Sequence, residues 1–314
     1  MTSPEPSPSS PSSPEGTSLA TKVRENVALF GEYRRGERGR AYLDGVFAEL
    51  DEYPAVLERL GAKPLSESEV LEIGFGARPY RLAALLRQGV DATGVDMEVP
   101  VLTGSVAEFR RMYATNGAER TAKSLVRHLL FDRGQRRDFE GRAVERGWVG
   151  PVDPTRFVVS DAAELDVADG SIDLLLSEDV FEHIEVGALR RLVAQMRGWL
   201  RPDGLALIRP NVFTGITGGH LIEWDDLAPA ERRSEPWEHL RAQRFAPNSY
   251  LNGLRLADYR ELFAEHFEIV EERVKRPDLG LEYLTDDIRA ELAAYDEHEL
   301  LANQVLFALR PRPA

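Results

Sequence analysis

Apolar and polar positions divide the chain into short apolar runs alternating with segments apolar on one side only. Val70-Leu71-Glu72-Ile73 is an apolar run of strand length, and Gly74 and Gly76 follow it at once. A helical pattern from Tyr80 to about Gln88 comes next, with Pro79 suited to its first turn and Gly89 to its end. Asp91–Val95 reads as a second strand ending at Asp96, and Phe157-Val158-Val159 as a third ending at Ser160-Asp161. Ile172–Leu176 is a fourth, buried run. Leu189, Leu192, Val193, Met196 and Leu200 form the stripe of a helix that stops at the turn Arg201-Pro202-Asp203-Gly204. Leu205–Ile208 is a fifth strand. A helix over Ala257–His266, a strand over Phe267–Val270, an acidic helical segment from about Thr285 to Leu301 and a last strand over Asn303–Leu309 complete the series. Strands alternating with helices predict an α/β fold on an open, largely parallel sheet.

Three regions fall outside this rhythm. Residues 1–18 are rich in Pro and Ser and lack the apolar content to offset ordering, which predicts a disordered tail. Residues 19–66 read as a helical lead-in, with Val23, Val27 and Phe30 on one face and Val46 and Leu50 on another, broken at Pro54 before Val56 and Leu60. Its charges, Arg34, Arg35, Glu37 and Arg38, suit a solvated face, and Tyr33 is within plausible reach of a ligand. The interval between the second and third strands is longer than a crossover needs, so about 100–150 is an insertion, helical over Thr121–Phe131. Residues 67–314 form the main domain, with 209–255 a substrate loop region.

Charge sharpens the picture. The chain of 314 residues carries a formal charge of -14, which argues against general affinity for nucleic acid or an anionic membrane. The insertion runs the other way: Arg110, Arg111, Arg120, Lys123, Arg127, Arg133, Arg136, Arg137, Arg142 and Arg146 outnumber its acids. It fits either an anionic group on a substrate or pairing with the acidic remainder of the protein, including across a homodimer. There is no cysteine, so thiol chemistry and thiolate metal sites are excluded. No apolar run approaches membrane-spanning length and no basic-then-apolar leader opens the chain, so a cytoplasmic protein is expected.

The strand ends carry the candidate chemistry. A dinucleotide turn needs a third glycine where Pro79 stands, and Glu72 would repel a pyrophosphate. A carboxylate beside a glycine turn suits a cationic ligand. Asp96 can accept ribose hydroxyls, and Asp161 can accept from an exocyclic amine. After the fourth strand comes Ser177-Glu178-Asp179-Val180-Phe181-Glu182-His183, more polar than packing requires. The stretch Arg209–Trp224, with Gly215, Gly218, Gly219 and His220, reads as a mobile or ligand-closing loop in which Glu223 and Trp224 wall a substrate.

Glu72-Ile73-Gly74-Phe75-Gly76 resembles motif I of class I S-adenosylmethionine methyltransferases, departing from it at Arg78, where the last glycine belongs. Ser177 to His183 resembles the S-x-x-V-x-E-H pattern of the small-molecule "type 11" subgroup. The resemblance implies a Rossmann-like seven-stranded sheet with an antiparallel last strand and S-adenosyl-L-methionine as cofactor. Glu72, Gly74, Gly76, Asp96, Met97, Asp161, Ala162 and Ser177 would bind that cofactor. It also implies methyl transfer to a small hydroxylated acceptor such as a sugar or natural product. An N- or C-methyltransferase and a non-catalytic cofactor-binding domain stand as alternatives. The N/D-P-P motif of nucleic-acid amino-methyltransferases is absent after the fourth strand. A hydroxyl acceptor needs a base, and His183 and His220 are the candidates; no metal is expected, although Asp179, Glu182 and His183 keep one open.

Overall fold

The computed structural model describes residues 37–220, 234–241 and 250–313. Tyr33, Glu223 and Trp224, and the proposed tail, lie outside them.

Seven strands form one sheet: β1 (Glu69–Ile73), β2 (Asp91–Asp96), β3 (Phe157–Val159), β4 (Ile172–Glu178), β5 (Leu200–Arg209), β6 (Phe267–Val274) and β7 (Val305–Pro311). Their order is 3-2-1-4-5-7-6. Pairing is parallel from β3 through β5, and β7 runs antiparallel to both β5 and β6. The order reverses between β1 and β4, so their carboxyl ends open the crevice where ligands of such sheets bind.

Strand periodicity sorts the core. Val70, Leu174, Leu176, Leu205, Leu207, Leu306 and Ala308 face one layer of helices. That layer is α1 (Glu37–Arg59), α2 (Tyr80–Arg87) and, further along the chain, the helix Arg133–Glu145. Leu71, Ile73, Leu175, Ala206, Ile208, Phe307 and Leu309 face the other. This second layer contains the helices Val186–Trp199 and Leu256–Ala264. Covered on both faces, β4 is buried along its whole length, with an apolar run at Leu174–Leu176 and polar side chains at Asp173, Ser177 and Glu178.

Several sequence expectations change. Helix α1 passes through Pro54 without a break. A proline inside a helix costs ~3 kcal/mol. Val56 and Leu57, just beyond it, are buried in the core and return roughly 1.5–3 kcal/mol each, enough to keep the helix intact. The acidic segment is two short helices, Asp286–Glu291 and Glu297–Leu301, because Asp296 caps a second start by accepting from Glu299 N at 2.8 Å. Arg201–Gly204 lies within β5, where the register against β4 slips from Ile172↔Leu200 to Leu174↔Leu205.

The insertion is helical over most of its length: α3 (Val106–Arg127), broken at Gly117 with φ 81, then a π turn (His128–Asp132), then α4 (Arg133–Glu145). Several of its basic residues pair with the protein itself. Arg142 meets Asp44 at 2.5 Å and Arg146 meets Asp51 at 2.6 Å, both on α1, while Arg120 pairs with Glu98. Of the two uses for its charge, pairing with the acidic remainder is the one seen at these positions.

Candidate active site

The glycine turn after β1 is shaped by what lies against it. Gly74 (φ 82) and Gly76 (φ 68) occupy the left-handed region. A Cβ on Gly74 would lie 2.2 Å from Val180 Cγ2, so the turn is pressed against the loop after β4. A Cβ on Gly76 would meet nothing within 4 Å, so that backbone faces open space. Gly76 N donates to Asp96 Oδ2 at 2.8 Å, and Asp96 Oδ1 accepts from Glu98 N at 2.8 Å. The Asp96 side chain thus joins the ends of β1 and β2. Burial raises its carboxyl above the ordinary range, against the Gly76 amide, the Arg120 charge and the Met97 amide.

Glu72 is only 1 % exposed. Its Oε1 accepts from Arg81 Nη1 at 2.9 Å, and Oε2 has no hydrogen-bond partner. Arg81 also donates to Glu49 Oε2 at 2.5 Å, tying β1 to α1. A buried carboxylate with an unused oxygen beside a glycine turn fits a cationic ligand. Met97 is 67 % exposed just past Asp96. Asp161 is exposed at the end of β3 and accepts from Ala163 N at 2.9 Å, with the half-buried Ala162 between them. Ser177 is buried and its Oγ donates to Ile73 O at 3.0 Å, linking β4 to β1.

Past β4 the chain is strained. Asp179 has φ 55, held by Asp179 N donating to Arg209 O at 2.8 Å and by Gln304 Nε2 donating to Asp179 Oδ1 at 2.6 Å. Non-glycine residues in this region concentrate at functional sites. The 3-10 turn Phe181–His183 follows. Asn252 fixes it: its Nδ2 donates to Phe181 O at 2.8 Å and to Ile184 O at 3.0 Å, and its N to Glu182 O at 2.9 Å.

His220 arrives from the loop after β5, also strained at φ 50. The two candidate histidines meet: their rings are 4.8 Å apart and nearly perpendicular at 85°. His220 Nε2 lies 3.6 Å from Glu182 Oε1. Glu182 is 3 % exposed, and neither carboxylate oxygen has a hydrogen bond within normal geometry. Burial raises the Glu182 carboxyl, His220 pulls it back, and Asp179 pushes it further up. His183 Nδ1 is 3.0 Å from Tyr250 O, which fixes the ring.

The described part of the glycine-rich stretch is packed, which corrects its reading as a mobile loop. Val212, Thr214, Ile216 and Thr217 are buried. A Cβ would fall 2.7 Å from Asn303 Cα at Gly215, 2.2 Å from Phe213 O at Gly218 and 2.6 Å from His239 Cγ at Gly219. These glycines permit close packing. His239, beneath them, places its Nε2 2.7 Å from Phe213 O, and burial lowers its pKa to about 4.

Sequence reasoning missed the layer under this site. Tyr53 OH donates to Glu178 Oε1 at 2.9 Å, and Arg209 donates to Glu178 Oε2 at 3.2 Å and to Glu52 Oε2 at 2.7 Å. Burial, then the Glu49 charge, raises the Glu178 carboxyl. Tyr53, Glu49 and Glu52 belong to an amphipathic helix whose pattern does not distinguish a polar residue aimed at a strand end from one in solvent.

Residues 131–208 match the family described as a methyltransferase domain, Methyltransf_11. The strand order 3-2-1-4-5-7-6 and the glycine turn on β1 agree with the sheet that the sequence resemblance implies. Residues 131–208, about a quarter of the chain, are similar to that family. An uncharacterized methyltransferase of Mycolicibacterium gilvum is 34% identical over 88 residues, 28% of this chain and 34% of the relative. One of Mycobacteroides abscessus is 37% identical over 82 residues, 26% of this chain and 31% of the relative. The chain thus spans about a third of the length of these curated relatives. Among solved structures, a Pyrococcus horikoshii protein aligns over 92% of this chain and 99% of its own, at 14% identity and a TM-score of 0.45. A Burkholderia thailandensis 1,6-didemethyltoxoflavin-N1-methyltransferase aligns over 96% and 94%, at 17% identity and 0.43.

The cofactor that the resemblance implies is S-adenosylmethionine, and the groups at the glycine turn are compatible with it. Glu72 has an unused oxygen that would suit its ammonium, Gly76 an open backbone, and Asp96 a carboxylate at the end of β2 that would suit its ribose. Among the described residues no helix is long and apolar enough to cross a membrane.

Proposed function

We propose that this methyltransferase domain moves the methyl of S-adenosylmethionine to a hydroxyl of a small acceptor, a sugar or natural product, with His220 as the base. The observation that carries this is the buried Glu182 carboxylate 3.6 Å from His220 Nε2, one turn beyond the Val180 that presses on Gly74. A carboxylate facing one ring nitrogen favours its N–H form and leaves Nδ1 to take a proton. As the hydroxyl oxygen attacks the methyl, its proton passes to Nδ1, and Glu182 stabilises the imidazolium. When bound, S-adenosylmethionine would supply the activated methyl and, on transfer, take the carbon–sulfur bonding pair as a neutral thioether. His183, edge-on to His220, helps to orient the acceptor. The remaining rate enhancement comes from holding the oxygen in line with the methyl. The protein acts on a small molecule, with no nucleic-acid or membrane partner; a homodimer and a cytoplasmic location belong to the same reading.

The test uses the full chain with S-adenosylhomocysteine in a thermal-shift assay, then with S-adenosylmethionine and a panel of hydroxylated acceptors read by mass. A stabilised melt and a methyl gain on oxygen are expected. No shift overturns the cofactor assignment, and methyl gain on nitrogen or carbon overturns the acceptor. A stabilised melt with turnover untouched in H220A overturns the base and favours a cofactor-binding role.

A further inference from the structure

Glu182, His183 and His220 come from two loops, yet one ligand atom from each lies within 4.8 Å of the others. Each of the three is prepared in a way that base chemistry alone does not require. Glu182 is buried, both its oxygens lack hydrogen bonds, and its backbone is pinned by Asn252. A buried carboxylate is costly unless a cation faces it. His183 Nδ1 sits 3.0 Å from Tyr250 O, the outer-shell carbonyl contact that places the proton on Nδ1 and the lone pair on Nε2. His220 turns Nε2 toward Glu182 and is held there by a strained backbone.

We propose that these three side chains form a site for a divalent transition cation of the zinc or cobalt type. One carboxylate oxygen and two imidazole nitrogens are its ligands, and the remaining positions stay open. Two imidazoles with one carboxylate favour such cations over magnesium, which takes oxygen ligands. Bonds of ~2.0–2.2 Å require the ligand atoms to close in from their present spacing. Binding displaces the proton from His220 Nε2. For its consequence the proposal rests on the acceptor reading above: a cation on His220 removes the base, so occupation suppresses transfer.

The experiment titrates chelator-stripped full-length protein with Co2+ and then Zn2+. About one equivalent is expected to bind, with visible Co2+ bands of a low-coordinate nitrogen and oxygen set that Zn2+ abolishes. H183A and H220A should each weaken binding by more than the ~10–100-fold that loss of an outer-shell partner costs. H298A, at the exposed histidine near Glu272, should leave it unchanged. E182Q should behave like the histidine variants. Should its buried site disturb folding, the half-buried His183 still decides the matter, because H183A is expected to keep S-adenosylhomocysteine affinity and melting temperature. Absence of stoichiometric binding, or binding that survives both H183A and H220A, overturns the site. The base reading is judged separately, by turnover of the metal-free protein. Inhibition by the bound cation supports the stated consequence, and activation overturns it.

Discussion

Glu182 Oε1 and His220 Nε2 stand 3.6 Å apart at the carboxyl end of the sheet, one following β4 and the other following β5. No packing requirement puts a buried carboxylate there, and both neighbouring strained residues, Asp179 and His220, frame it. H220A is expected to lower kcat by ~10²–10⁴-fold. Its affinity for S-adenosylhomocysteine should stay within about twofold, since His220 makes none of the contacts described at the glycine turn. Steady-state kinetics with calorimetric cofactor titration check this. Equal loss of affinity and turnover would remove His220 from the chemistry.

The two glycines of the turn should respond differently. G74A meets both a positive φ and Val180 Cγ2 at 2.2 Å, whereas G76A meets only the φ penalty, ~1–2 kcal/mol. Thermal melts should therefore rank G74A well below G76A, and G74A/V180A should recover part of the difference. In G76A the added methyl enters the open space proposed for the cofactor, so cofactor affinity should fall more than stability. Identical melts for G74A and G74A/V180A would contradict the packing argument.

Ser177 is spent on Ile73 O between two central strands. Serine to alanine there is expected to cost about 1 kcal/mol of stability, the ordinary worth of one hydrogen bond. Cofactor affinity should be preserved. Chemical denaturation read beside a cofactor titration separates the two, and weakened cofactor binding at unchanged stability would place Ser177 in the cofactor site.

Two groups make stability fall in acid. Burial lowers the His239 pKa from 6.5 to about 4, so the unfolded chain takes up that proton first and stability drains between those values. Burial works to raise Glu49, but Arg81 and Lys275 prevail and hold it at about 2, so its contribution is intact above 4.5 and is lost towards 2. Each difference corresponds to on the order of 3 kcal/mol. Denaturant midpoints measured against pH should show both steps, with H239N removing the upper and E49Q the lower. A flat profile from pH 6.5 to 4 in the native chain would contradict the first.

The sequence by itself determined the strands, their order along the chain and the positions of the rim residues. Short, nearly continuous apolar runs, as at Val70–Ile73 and Ile172–Leu176, leave a buried parallel strand few other forms. It could not show that Glu72 shares its charge with Arg81, that Ser177 is committed to a backbone carbonyl, or that the glycines at 215, 218 and 219 serve packing. Nor did it show that Glu182 is the residue His220 faces. Those facts depend on which side chains meet across loops distant in sequence, where local patterns carry no information. Only the folded sheet edge, bringing the ends of β1, β4 and β5 together under α1, decides them.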